Sequence, residues 1–572
     1  MRRFFLTLFI FAWFGVFAQE SFPQYPNPVN YPITLSATFA ELRSNAFHGG
    51  LDIRTDGVEG KEVFAVADGY VSRIGVSPYG YGKAVYITHN DGFMSVYAHL
   101  SAFNKTIGEF VKAKQYETKS FAQTIYLEKG EIPVKQGDLI GLSGNSGGSG
   151  GPHLHYELRY ADTQNPVNPL YFGVKIEDNV RPDISGLAVY PLDRRSFVTD
   201  SDSAVYFSVV KAKNQFFLRN DVVKVRGNVA FGVSAIDRAN GVPNKNGVYS
   251  IELYADNSLI FSIFCNTYSY SETRYINSLI DYPRWIRKGE RFVRTEIDPY
   301  NILSVYGEKN GTLFVNEGDT VAMKYVVKDF AGNASELAFR IVGSPEPEFL
   351  RHRNLDRSYY EVSGNKGREI AFADGFSAAV PDGAFYRDVY LKTDKKVMCN
   401  IASEYAYRFV STEIPVQKAI TLRLRPKPAF ENEKRLYVAS LEKDSVLVSQ
   451  GGRIVNGVVE AKVRTLGTFV LAVDSVSPQV ELVNFKDGED VSSLTQLKMK
   501  IKDLETGIGK YSLIINDEWV LAEYDAKNDA LIYDVDCHLK HGKNALCCEV
   551  SDNVDNTTKV NAVIYYYGTS QK

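Results

Sequence analysis

Cysteine is scarce: the 572 residues include only Cys265, Cys399, Cys537, Cys547 and Cys548. They are too sparse and too unevenly spaced for a zinc ribbon or a disulfide framework. If HLKHGKNAL joins two strands as a hairpin, an oxidising compartment would permit a bridge from Cys537 to Cys547 or Cys548. Buried small hydrophobes is the simpler role for these thiols. An excess of either charge is lacking too, with 65 Lys and Arg against 68 Asp and Glu, interspersed, for a net charge of -3. There is no basic stripe, which argues against nucleic acid as a partner. Long apolar runs are absent after the first eighteen residues, so no membrane span is expected in the mature chain.

What the chain does have is aromatic residues, 36 Tyr and 34 Phe, set in repeated alternating runs. Such runs read as strands, so a mostly β protein is expected. A chain of this length exceeds one core, and about four domains is the prior. Met1 to Ala18 reads as a cleaved secretory signal: Arg2 and Arg3, an apolar run from Phe4 to Phe17, then Val16-Phe17-Ala18 before Gln19. Its run of about 14 residues is short of the roughly 20 a span needs. No cysteine follows to suggest a lipid anchor, and the expected location is the periplasm or cell envelope.

The chemistry concentrates in two stretches, HGGLD at His48 to Asp52 and GLSGNSGGSGGPHLHYE at Gly141 to Glu157. In an extended strand alternate side chains share a face, so His153 and His155 project together while Leu154 turns back into a core. Imidazole nitrogen and carboxylate oxygen are good zinc ligands, and three protein ligands plus a water make an open, catalytic set. His48, Asp52 and one of His153 and His155 would supply it. The other histidine of the pair, with His99 of YAHL, is then free to act on water or substrate.

Four ordered segments carry a resemblance: His48-x-x-x-Asp52, Tyr97-Ala98-His99-Leu100, Gln136-Gly137-Asp138-x-Ile140-Gly141, and Gly144-Asn145-Ser146-Gly147 through Glu157. Together they resemble the M23 peptidases, the LytM/lysostaphin-type zinc endopeptidases of peptidoglycan. The resemblance implies one zinc per chain on His48, Asp52 and His155, with His99 and His153 as the catalytic histidines. It implies a compact antiparallel sheet of the duplicated hybrid motif type, and peptidoglycan stem peptides as the substrate. Zinc in such a site lowers the pKa of bound water from about 15.7 toward 7 and polarises the scissile carbonyl. His99 and His153 then suit orienting water, stabilising the oxyanion and passing a proton to the leaving amine. Asn145-Ser146-Gly147 is no nucleophile elbow, which needs a strand before it and a helix after.

The peptidase domain is expected over 19–175. Its glycine-rich run from Gly144 to Gly151 reads as a loop bordering the cleft, where missing side chains admit substrate backbone. One departure from the family pattern is a long insertion, about 101–135, expected to be a lid, a substrate-selecting flap or a surface hairpin. His89, before a turn, is expected to be solvent-facing or turn-bonding rather than a ligand. His538 and His541 lie near Cys537, Cys547 and Cys548 but match no recognised zinc pattern.

About three β-sandwich domains should follow, over 176–343, 344–474 and 475–572. VVKDFAGNAS and CEVSDNVDNTT, before the last strands of the first and third, resemble each other and the immunoglobulin-like modules of secreted bacterial proteins. Asp329, Asp552 and Asp555 could bind calcium there, although Asp- and Asn-rich turns are usually only turns. These domains could also engage envelope protein partners. Two functions stand against each other: a peptidase cutting peptide cross-links in peptidoglycan, preferably direct D,D bridges, and a non-hydrolytic scaffold that activates another wall hydrolase. The complete five-residue set favours the first.

Overall fold

The structure, a computed structural model, describes residues 22–307, 310–345, 360–430, 433–443 and 445–568. The expected signal at Met1 to Ala18 lies outside the described residues. Among the described residues no helix is long and apolar enough to cross a membrane. Strands dominate throughout.

The N-terminal sheet has the order β1 (Leu35–Ala37), β2 (Leu51–Arg54), β7 (His153–Tyr160), β5 (Phe93–Leu100), β4 (Lys83–His89), β3 (Gly69–Val76) and β6 (Gln123–Tyr126), with every pair antiparallel. β7 shows why. Its Leu154, Tyr156 and Leu158 enter the apolar core, while His153, His155, Glu157 and Arg159 line the opposite face, the period-two pattern of a strand with one dry side.

The insertion after His99 is ordered. Asn104 caps α1 (Lys105–Thr118) by accepting from the Ile107 amide at 2.9 Å, and Ile107, Val111 and Gln115 form its buried stripe. The helix stops at Lys119 in the left-handed region, φ 49°. β6 then adds to the sheet edge beyond β3, three strands from His99. None of this segment lines the groove beside His153, so the insertion is neither lid nor flap over it. It carries another part of the chain instead.

Residues 183–343 form an eleven-stranded sheet. The fifteen-residue β9 (Val222–Ile236) pairs with β8 (Asp183–Pro191) along its second half and with β12 (Ala334–Gly343) at its start. That long strand joins what was expected as two layers. β10 (Ser250–Ala255), β11 (Thr320–Lys328) and β12 lie side by side. One apolar core runs from Tyr25 through the N-terminal sheet and on to Ile341. Beyond it, residues 368–473 form two five-stranded sheets around a second core. Two four-stranded sheets enclose the third core. Their strands include β13 (Gln479–Leu482), β14 (Gln496–Lys502), β15 (Ile508–Ile515), β16 (Gly542–Asp552) and β17 (Thr557–Tyr566).

This last β unit folds back on the insertion. Tyr116 of α1 stacks on His538 with ring centroids 5.2 Å apart and meets Trp519 edge-on. Lys112 pairs with Asp536 at 3.3 Å and Lys83 with Glu523 at 2.8 Å. All five cysteines are free, so the bridge that a hairpin would have permitted is not formed, and only Cys265 and Cys548 are buried, so the simpler role as buried small hydrophobes fits those two and not the exposed Cys399 and Cys537. The strand Ala530–Asp534 pairs with β14 while β16 pairs with β15, so the segment carrying Cys537 crosses between sheets and is no hairpin.

Candidate metal centre

β2 and β7 are paired so that His155 faces Asp52 and His153 faces Arg54. Across β7, His155 faces Ala98 of β5. His48 arrives from the turn before β2, its Nε2 2.9 Å from Asp52 Oδ1 and 3.1 Å from His155 Nδ1. His155 Nδ1 is 2.8 Å from the same carboxylate oxygen. Three ligand-type atoms are thus within hydrogen-bond distance of one another, and all three residues are buried. His153 Nε2 lies 3.5 Å from Asp52 Oδ1.

His99 reaches the same place by a bulge. In regular alternation it would share the face of Tyr97, which is in the core. Instead β5 slips register against β4 between Val85 and Lys83, and His99 takes φ 60°. A bulge re-aims a side chain, and here it sets the His99 ring 4.8 Å from that of His153 and 5.8 Å from that of His155. Nothing in the sequence, which has no glycine at this point, signals the slip.

Each imidazole spends one nitrogen on a fixed acceptor. His48 Nδ1 donates to the Thr38 carbonyl at 2.7 Å, and His155 Nε2 donates to Glu157 Oε1 at 2.7 Å. His99 Nδ1 donates to the Ser146 carbonyl at 2.9 Å, and His153 Nδ1 to the Gly151 carbonyl at 2.8 Å. These partners fix the tautomers. The remaining nitrogens of His48, His153 and His155 turn toward Asp52. Two of them with the Asp52 carboxylate make a nitrogen and oxygen donor set suited to zinc.

The family comparison falls on these residues. Residues 46–124 and 120–169 match Peptidase family M23, and residues 365–474 match a Zu5-like domain. Residues 46–169 are an M23 peptidase domain. Over 147 residues the chain is 33% identical to the DD-carboxypeptidase/endopeptidase Mpg of Neisseria meningitidis, covering 26% of this chain and 27% of that protein. It is 31% identical over 168 residues to the peptidoglycan DD-endopeptidase ShyA of Vibrio cholerae, covering 28% and 32%. It is also 33% identical over 123 residues to the murein hydrolase activator NlpD of Escherichia coli, covering 22% and 25%. The chain thus spans no more than about a third of the length of these relatives.

Within the M23 domain the electrostatics are sharply divided. Burial pushes the Asp52 carboxyl up, but the charge of His48 and bonds from His153, His155 and His48 outweigh it and hold the group well below the carboxylate range. Arg43 adds an ion pair to Asp52 Oδ2 at 2.7 Å. Burial depresses His48 and lowers His99 to about 3, with His155 and His153 adding to the shift at His99. For His155 burial is again the largest effect, yet bonds to Asp52 and Glu157 overcome it and raise the group to about 9.

Glu157 is the buttress. Wholly buried, it accepts from His155, from Tyr81 Oη at 2.5 Å, from Arg159 Nε at 2.6 Å and from Tyr270 Oη at 2.8 Å. Burial opposes its charge, but Arg159 and the His155 bond keep it ionised. Its alternation with His153 and His155 could have revealed the role. Tyr270 could not have been found, since it lies 113 residues away in the following β unit. Gly49 shows how close that contact is: a Cβ there would sit 2.5 Å from Tyr270 Oη and 2.8 Å from Glu157 Oε1. At Gly50 a Cβ would lie 2.2 Å from the Tyr156 carbonyl.

The glycine-rich loop departs from its expected role. Gly144 packs on Ser101 and Gly147, at φ 68°, on Gly82, so these glycines admit the protein's own backbone. Only Gly150 and Gly151 face open space, at a groove of about 460 Å³ that Arg43, Asp52, Arg54 and His153 also line. His89 is buried, not solvent-facing, and bonds Ser95 Oγ at 2.8 Å.

Proposed function

We propose that the chain is an exported zinc endopeptidase that hydrolyses peptide cross-links of peptidoglycan, with His48, Asp52 and His155 holding the metal. The observation that carries this reading is the convergence of an anchored histidine set on Asp52, with two imidazoles left over for chemistry. Zinc held there would supply Lewis-acid activation of water and of the scissile carbonyl.

The remaining steps belong to this chain's own side chains. His99, neutral because burial depresses it and with its Nδ1 proton held by the Ser146 carbonyl, leaves Nε2 bare to accept a hydrogen bond or a proton without first having to lose a charge. His153, fixed by the Gly151 carbonyl, stands at the groove, suited to orient water and protonate the leaving amine. Arg43 and Arg54 border the same groove and suit the carboxylates of a stem peptide. A direct D,D bridge is the preferred bond. The boundaries 19–175, 176–343, 344–474 and 475–572, a signal at Met1 to Ala18 and an envelope location complete the proposal, with envelope partners for the β units.

The test is zinc content together with release of muropeptides from purified sacculi, with His153→Ala as control. Stoichiometric zinc and fragments carrying newly freed stem peptides are expected. Metal-free protein that binds sacculi without releasing fragments would overturn the reading in favour of an activator, the role the name of NlpD describes.

A further inference from the structure

A second cluster of ligand-type groups lies away from the M23 site. Asp178 precedes β8, Asp237 follows β9, and Asp329 opens the turn between β11 and β12. Carboxylate oxygens of the three lie within 4.8 Å of one another. Asp237 is 4% exposed and its Oδ1 has no hydrogen-bond partner. Asn246, 3% exposed, pairs backbone to backbone with Asp237, and both its side-chain Nδ2 and Oδ1 are without a partner. Asp178, Asp237 and Asn246 line one cavity of about 310 Å³. Among the described residues no lysine or arginine pairs with any of the three acids; Arg238, next to Asp237, is turned to Asp183 instead. Unpaired buried charge of this kind is costly unless a cation joins it. Burial, with Asp178 and Asp329 adding, raises the Asp237 carboxyl to about 7.

The arrangement is built twice. Asp474, Asp503 and Asp552 form another such trio, at the corresponding points before β13, after β14 and at the end of β16. The β8–β9 pairing corresponds to β13–β14, and β10–β11–β12 to β15–β16–β17. Both open on Asp-x-Val-x-Pro, at Asp178 to Pro182 and Asp474 to Pro478. In both, an asparagine four residues after the last aspartate bonds that aspartate and the first aspartate's carbonyl: Asn333 to Asp329 and Asp178, Asn556 to Asp552 and Asp474. Asn556 is 2% exposed with Oδ1 unpartnered. The second trio is better satisfied, since Asp503 Oδ1 accepts the amides of Glu505, Thr506 and Gly507.

We propose that Asp178, Asp237 and Asp329, with Asn246, bind a hard divalent cation of the calcium class, and that Asp474, Asp503 and Asp552 are the weaker repeat of that site. An all-oxygen set without histidine or thiol selects calcium over zinc. Carboxylates joined by the Asn246 amide suit its irregular coordination better than the strict octahedron of magnesium. Affinity should fall in the extracellular range, Kd on the order of 10⁻⁴ to 10⁻³ M. The site also abuts the M23 domain: Gly247, next to Asn246, exchanges hydrogen bonds with the Thr38 hydroxyl, and the Thr38 carbonyl holds His48.

The experiment titrates CaCl2 into the zinc-loaded full chain by calorimetry, with terbium luminescence as a second readout and thermal unfolding as a third. Saturable uptake and a raised Tm are expected, and Asp237→Asn should remove the tighter event while zinc content stays constant. Asp503→Asn should remove only the weaker one. If Asp237→Asn fails to fold, displacement of terbium by calcium from the wild-type chain supports the site. Absence of saturable uptake by the wild type up to about 10 mM calcium, or an unchanged tighter event in folded Asp237→Asn, overturns it.

Discussion

The two halves of the M23 site are held in different ways. On the metal side, His155 leans on Glu157, a buried carboxylate clamped by Arg159, Tyr81 and, from the next β unit, Tyr270. On the other side, His99 and His153 hang from main-chain carbonyls of Ser146 and Gly151, in the glycine-rich loop. The C-terminal unit grips that loop, with Lys527 Nζ donating to the carbonyls of Asn145 and Ser149. A charge network fixes basicity and tautomer for a metal ligand. A carbonyl fixes orientation and tautomer without adding a charged partner, and burial lowers His99 to about 3. Each half thus depends on a different β unit.

The comparison breaks most visibly on substitution of a histidine from each side. His155→Ala should lose both metal and turnover, whereas His153→Ala should keep about one zinc per chain and lose activity by about 10²- to 10⁴-fold. Metal analysis on the purified variants, set beside sacculus digestion, separates the two, and equal metal loss in both would erase the distinction. Next in size is Tyr270→Phe, which deprives the buttress of a donor from outside the M23 domain. Zinc affinity, read by chelator competition, should weaken about 10- to 100-fold with the pH profile of turnover unmoved.

The halves also differ in pH response, measurable by denaturant unfolding of the metal-free chain. His155, charged in the folded state up to about 9 against about 6.5 when unfolded, contributes stability that is complete below pH 6.5 and lost as pH rises through 9. His48 and His99 are depressed, so their contribution is complete above 6.5 and lost as pH falls, toward about 3 for His99. Stability should peak near pH 6.5, and zinc should flatten the alkaline limb because a ligating imidazole is already neutral. A metal-free chain most stable at pH 9 would contradict this. The smallest effect belongs to Lys527→Ala. An exposed contact is worth ~1 kcal/mol at most, so turnover should fall by no more than about fivefold at constant zinc content.

Much of this centre was legible in the sequence because strand alternation is local. His153-x-His155-x-Glu157 states its own face, and four short segments in order carry the family. The β class was equally open to reading. What escaped depends on long-range closure or on local backbone exceptions: the bulge that turns His99 off the core face, the Tyr270 bond, and the fate of the insertion, which serves as a dock. The glycine run misled because a missing side chain admits any close neighbour, and here two of its glycines admit the protein itself. The bridge considered for Cys537 hung on a hairpin that the chain does not make, and a connection between sheets looks like a hairpin in one dimension.

The clasp between Lys527 and the Asn145 carbonyl joins positions 382 apart in the chain, and Lys83 meets Glu523 across 440. Loop-closure entropy defers such contacts, and synthesis delivers the N-terminal residues first. The loop that steers two of the histidines therefore gains its last tether only once the final β unit has been made and has come home. A chain without the final β unit would still bring His48, Asp52 and His155 together, while the loop whose carbonyls orient His99 and His153 would lack the Lys527 contact.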